Sequence, residues 1–162
     1  MASSMTRFKE LENRDIFWQL QIDVNGYSDS NGEDLVTQVL SGRFFQVINS
    51  YSIASTTIGS SSRINVRLLE DGYICWLDLN VIVDHIIRFK TWKPLLLSPL
   101  EISSRLNNVL EWIEKAYKNK NIYLWGGTLG PDYDCSGLIQ SSFCSQSIWL
   151  PRDAYQQEIF CT

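Results

Sequence analysis

The stretch YLWGGTLGPDYDCSGLIQSSF, Tyr123 to Phe143, constrains this chain more than any other. Gly126, Gly127 and Gly130 allow tight turns or close backbone approach to a ligand. The residues after them, Cys135 to Gln146, read as a helix, and Asp134 stands where an N-cap belongs. A glycine-rich loop must therefore turn directly into a helix whose first residue is a cysteine. At a helix N-terminus, unpaired N–H groups and aligned peptide dipoles favour a thiolate. The Cys135 N–H has no partner inside the helix and can face a developing oxyanion. Gly137 is expected to keep the first turn slim, so that a substrate reaches the sulfur.

Local physics leaves Cys135 open between a nucleophile and a small buried residue. Asp134 is equally open between a plain cap and a ligand contact. Cys75, Cys144 and Cys161 read as structural. A cysteine nucleophile normally needs a histidine base. The single histidine is His85, which lies upstream among apolar residues and reads as structural or surface. Trp125, Trp149 and Tyr155 read as core aromatics, and Arg152 as a structural ion-pair partner.

The rest of the chain divides in two. Residues 1–14 are polar and read as a flexible arm. Residues 15–90 carry short strands with turn signals, which predicts a small β-barrel. LVTQVLSGRFFQVINS, Leu35 to Ser50, reads as a strand, a Ser41-Gly42 turn and a second strand. INVRLLEDGYICWLDL, Ile64 to Leu79, reads as a hairpin with a two-residue turn at Asp71-Gly72. Ile53 to Arg63 is rich in Ser, Thr and Gly and reads as a loop. Residues 91–98 form the expected linker. Ser98-Pro99-Leu100-Glu101 is a capping box with proline at the first helical position. Ile102, Leu106, Leu110, Ile113 and Tyr117 follow at helical spacing, so a helix is expected over about 99–118.

Charge narrows the partners. With 14 basic and 18 acidic residues the net charge is −4, which supplies no basic face for nucleic acid and no attraction to an anionic membrane. No run approaches the ~20 apolar residues that a membrane span requires. The N-terminal residues lack the apolar core of a secretory signal. The four cysteines have no C-x-x-C spacing, so neither a disulfide framework nor a metal site is expected, and no cofactor. Free thiols without a signal point to a cytoplasmic location.

Three blocks carry a family resemblance. Tyr123-Leu-Trp-Gly-Gly127, then Asp134-Cys-Ser-Gly137-Leu138, then Leu150-Pro-Arg152 with Gln156, resemble the opening half of the NlpC-type cell-wall cysteine peptidases. The resemblance covers about Leu100 to Gln157. LVTQVLSG and the EDGYICWL hairpin resemble a bacterial SH3-type barrel. The implied fold class is α+β: an SH3-like β-barrel over 15–90, then the N-terminal portion of a papain-like peptidase domain over 99–162. The implied activity is cleavage between γ-D-glutamate and a diamino acid in murein stem peptides, in cell-wall recycling. The resemblance makes Cys135 the nucleophile. Asp134 and Ser136 become candidates for shaping the peptide pocket, and Tyr123 a site aromatic that helps stabilise the oxyanion. In the family the histidine base follows on strands of the central sheet. Those strands would lie beyond Thr162, so either the product is truncated and inactive as given, the favoured expectation, or a partner chain supplies the rest. The alternatives are a non-catalytic module that binds wall peptides, and a non-functional fragment.

Overall fold

Alternating burial builds the first half of the chain. The computed structural model describes residues 10–11, 13–49 and 63–161. The expected arm up to residue 9, and the expected loop from Ile53 as far as residue 62, lie outside them. The chain forms two units, Met1–Lys93 and Pro94–Thr162. The division falls within the expected linker.

The first unit is one antiparallel sheet. Its strands are β1 (Phe17–Leu20), β2 (Val24–Tyr27), β3 (Leu35–Val39), β4 (Phe44–Asn49), β5 (Arg63–Leu68), β6 (Ile74–Asp78) and β7 (Ile86–Phe89). Their spatial order is β3-β2-β6-β5-β4-β1-β7. Every second residue points inward, as a pleated strand requires. Trp18 and Leu20, Phe45 and Val47, Ile64, Val66 and Leu68, and Cys75 and Leu77 are buried in one apolar core. A single helical turn, α1 (Leu79–Ile82), is capped by Asp78, whose carboxylate accepts from the Asn80 amide at 2.9 Å.

The first unit departs from expectation in three ways. It is open rather than closed into a barrel: β3 pairs only with β2, and β7 only with β1, among the described residues. The Ser41-Gly42 turn explains part of this. The strands either side of it do not pair with each other. The turn binds the end of β1 instead: Gly42 N–H donates to Leu20 O at 2.8 Å, and Leu20 N–H donates to Arg43 O at 3.0 Å. Gly42, at φ 92°, supplies the left-handed backbone of this corner. The Asp71-Gly72 hairpin forms, but with a four-residue connection, Leu69 to Gly72. Leu68 N–H donates to Tyr73 O at 2.8 Å, and only Gly72 takes a positive φ. A two-residue type I′ turn needs positive φ at both positions. Here Glu70 and Asp71 are drawn to Arg43, at 3.2 and 2.8 Å. Finally, the expected arm is tied down at its end. Leu11 is fully buried in the core, and Glu10 pairs with Arg88.

The second unit holds three helices: α2 (Pro99–Lys118), α3 (Cys135–Cys144) and α4 (Ala154–Phe160). The capping box closes α2 as expected. Ser98 N–H donates to Glu101 Oε2 at 2.7 Å, and Glu101 N–H donates to Ser98 Oγ at 3.3 Å. The apolar face is rotated from the expected stripe. Val109 and Ala116 are buried, whereas Leu106, Leu110 and Tyr117 are exposed. Polar docking sets that rotation. Arg105 Nη1 donates to Gln146 O at 2.7 Å, and Asn108 Nδ2 donates to Gln146 Oε1 at 3.1 Å. Trp112 meets Tyr133 edge to face, with centroids 5.7 Å apart.

Candidate functional site

The site forms because Asp134 caps α3. Its Oδ1 accepts from the Gly137 amide at 2.6 Å, in the manner of an N-cap carboxylate. Its Oδ2 accepts from the Gly126 amide at 2.8 Å. One carboxylate thus ties the glycine loop to the first turn of the helix. Gly126, at φ 78°, provides the left-handed backbone that aims its N–H at this oxygen. Leu124 N–H donates to Tyr133 O at 3.2 Å and Gly127 N–H to Leu124 O at 2.9 Å, which completes the turn.

Arg152 reaches the same carboxylate from the segment between α3 and α4. Nη1 donates to Asp134 Oδ1 at 3.1 Å and Nη2 to Oδ2 at 2.6 Å. Nη1 also donates to Ser136 Oγ at 2.9 Å, and Ser136 Oγ donates to Asp134 Oδ1 at 3.3 Å. Arg152, Asp134 and Ser136 are all buried. Desolvation pushes the Asp134 carboxyl upward. The hydrogen bonds from Arg152, the Gly137 and Gly126 amides and the arginine's charge outweigh it, leaving the group below the usual carboxylate range.

Cys135 sits between these two buried residues and is itself exposed, at the first position of α3. The Tyr123 hydroxyl is hydrogen-bonded to its side chain. The Tyr123 phenol is raised above its ordinary value, by partial desolvation first, then by the charges of Cys135 and Asp134 and this hydrogen bond, with Arg152 opposing. The structure therefore brings together Tyr123, Asp134, Cys135 and Ser136. An exposed thiol at the first position of a capped helix lies beside the Tyr123 hydroxyl, an arrangement compatible with acyl transfer.

Other residues stand elsewhere than expected. Gly137 does not clear a path to the sulfur. It is buried, and a Cβ there would collide with the Gly127 carbonyl, so the glycine is needed for loop and helix to touch. Trp125 and Tyr155 are not core aromatics: they are 70% and 63% exposed. Trp149 is half-buried. His85 is a surface residue, one of its two expected readings, in the turn between α1 and β7 of the first unit. The Gln156 side chain turns to its neighbour, its Nε2 donating to the Tyr155 hydroxyl at 3.3 Å. The glutamine that serves the site is Gln157, which sequence reasoning missed. Its Nε2 donates to Ser136 O at 3.0 Å and to Pro151 O at 2.8 Å. Two adjacent glutamines carry no sequence signal that separates them; the helical phase of α4 does. Among the described residues no cluster of His, Cys, Asp and Glu could hold a metal.

Comparison with known proteins bears on this unit. Residues 120–161 match the model of the NlpC/P60 family. No curated protein matches the chain. Similar solved structures include NlpC2 from Trichomonas vaginalis, 17% identical, which covers 88% of this chain and 45% of that one at a TM-score of 0.29. NlpC1 from the same organism is 18% identical, covering 88% and 44% at 0.30. An NlpC/P60 family protein from Bacillus cereus ATCC 10987 is 18% identical, covering 94% and 43% at 0.29. The chain spans less than half the length of each of these structures. The loop before Cys135, the helix that it begins and the Leu150-Pro151-Arg152 segment all lie within the residues that match this family model.

Proposed function

We propose that Cys135 is the nucleophile of a peptidase unit acting on γ-D-glutamyl-diamino acid bonds of cell-wall stem peptides. The observation that carries this reading is the exposed Cys135 side chain at the start of a capped helix, hydrogen-bonded by Tyr123. The family match over the same residues supports a cell-wall substrate. In the proposed reaction the sulfur attacks the glutamyl carbonyl carbon. A C–S bond forms and the carbonyl electrons move to oxygen. The oxyanion meets the Cys135 N–H and the Tyr123 hydroxyl. Its collapse breaks the C–N bond, and the amine leaves with a proton. Water then cleaves the thioester. Asp134 and Ser136 are buried and shape this pocket from behind, while Tyr123 faces the substrate.

The proton steps limit this chain. Residues 94–162 contain no histidine, and the one in the chain, His85, belongs to the first unit. A positioned acid–base group contributes on the order of 10²–10⁴-fold. Turnover by this chain is therefore slow, and a base supplied in solution speeds it. The test is release of diaminopimelate from L-Ala-γ-D-Glu-diaminopimelate, with and without imidazole. The reading predicts slow release that imidazole raises and Cys135→Ala abolishes. Release that survives Cys135→Ala contradicts it. Peptide binding with no release under either condition would instead make this a binding module.

A further inference from the structure

The pair Arg152–Asp134 is expensive for what it stabilises. A buried ion pair is often no better than well-packed apolar residues of the same volume. This one also leaves Arg152 Nε without a hydrogen-bond partner among the described residues, in a side chain that is 3% exposed. Its geometry is the informative part. Arg152 grips both sequence neighbours of Cys135, Asp134 and Ser136, with three hydrogen bonds of 2.6 to 3.1 Å. Through Asp134 it also reaches the Gly126 amide, one step along the loop from Trp125 and three from Tyr123. The glycine loop and the helix start thus converge, through Asp134 and Ser136, on one guanidinium. Its backbone is secured in turn: Gln140 Nε2 donates to Leu150 O at 2.9 Å, and Gln157 Nε2 bridges Pro151 O and Ser136 O.

We propose that Arg152 is a positioning residue for Cys135: it holds Asp134 and Ser136 so that the thiol stays at the helix terminus beside Tyr123, and it neutralises the carboxylate next to the sulfur. This deepens the reading of Cys135 as a nucleophile and rests on it. Two consequences have the same sign. Without Arg152 the Asp134 charge stands uncompensated beside a sulfur that must become anionic to react. The loop and the helix start also lose their common anchor. Lysine keeps the charge but cannot span both carboxylate oxygens and Ser136 as the planar guanidinium does.

The experiment measures the rate at which limiting iodoacetamide alkylates Cys135, followed by peptide mapping, so it does not depend on peptide turnover. Arg152→Met is expected to slow alkylation on the order of tenfold, as loss of one partner from a buried pair leaves the other uncompensated. Arg152→Lys should recover part of that loss. Asp134→Asn combined with Arg152→Met should react faster than Arg152→Met alone, because the uncompensated charge is gone. Val109→Ala, which weakens α2 packing without touching the clamp, should leave the rate within about twofold of the unaltered chain. Should Arg152→Met not fold, Arg152→Lys and the double variant carry the test. Folded Arg152 variants that react at the unaltered rate would overturn the proposal. So would a double variant no faster than Arg152→Met, or a Val109→Ala loss as large as that of Arg152→Met. Absence of peptide hydrolysis would count against the peptidase reading and leave this result standing.

Discussion

The two units are held together by different forces. The first buries Trp18, Phe45, Leu68, Leu77 and their neighbours in a continuous apolar core, with few buried polar side chains. The second buries Thr128, Asp134, Ser136, Gln140, Ser142, Arg152 and Gln157, against only Val109, Ala116, Ile148 and Leu150 among buried hydrophobic residues. It leaves Tyr117 87% exposed and Trp125 70% exposed. Apolar packing is non-directional and tolerant, whereas hydrogen bonds fix atoms in place. The contrast teaches that the unit carrying the cysteine exchanges packing for defined geometry, and that its weak points are polar.

Breaking each unit at its own type of contact gives the largest effects. Asp134→Ala leaves the Arg152 charge buried and unpaired, which costs about 3–5 kcal/mol. Phe45→Ala opens a cavity in the sheet core and costs about 3–5 kcal/mol. Hydrogen exchange resolved by peptide should place each loss in its own unit. If Asp134→Ala left protection across α3 unchanged, the polar account of the second unit would fail. Gly137→Ala comes next, at roughly 1–3 kcal/mol, because a Cβ has no room beside the Gly127 carbonyl. Thermal unfolding of that variant measures the loss, and an unchanged midpoint would mean that loop and helix do not touch.

Acid should act in opposite directions at Asp134 and at Glu70. The Asp134 carboxyl is depressed in the folded state, so its contribution is present above the unfolded carboxylate value and lost as pH falls through the folded one. Glu70 in the first unit is raised, by desolvation first, with Arg43 and the Phe44 amide opposing. Its contribution is complete below the unfolded value and is lost as pH rises through the folded one. Lowering the pH through the carboxylate range therefore weakens the start of α3 through Asp134 while Glu70 favours the Arg43 corner of the sheet; Asp29, in the first unit, is depressed like Asp134. Hydrogen exchange of the peptides around Asp134 and around Glu70 separates the two, and parallel behaviour of those peptides would contradict the sign of one shift.

A stabilising change is the smallest effect. Ser147 follows α3 at φ 59°, where a residue with a side chain is strained and glycine is not. Ser147→Gly should add about 1 kcal/mol, read as a higher unfolding midpoint. A lower midpoint would mean that the Ser147 side chain has a stabilising role of its own.

Local signals made much of this legible. The capping box at Ser98, the cap at Asp134 and the hairpin around Gly72 depend on residues a few positions apart, so spacing alone reveals them. Partners distant in sequence were not legible. Asp134 and Arg152 were each readable as a structural residue, but eighteen positions separate them and nothing in the spacing joins them. The buried face of α2 was misplaced for the same reason: Gln146 and Tyr133, not the apolar stripe, decide which side docks. The Gly42 corner is bound by the end of β1, a contact between residues that no local pattern links.

Accessibility sets Cys75 apart from Cys135, while Cys161 is exposed as well and Cys144 half-buried. Burial pushes the Cys75 thiol up to about 12, whereas Cys135 lies open at the helix start. The most direct test of the central claim, that Cys135 is a presented nucleophile, uses an acyl donor whose leaving group needs no proton: the p-nitrophenyl ester of L-alanyl-γ-D-glutamate. Rapid-mixing absorbance, followed by mass mapping, should give a burst of one p-nitrophenolate per chain and an acyl group on the peptide containing Cys135. A burst that persists in Cys135→Ala, or an acyl group found on Cys75, Cys144 or Cys161 in its place, would contradict the account.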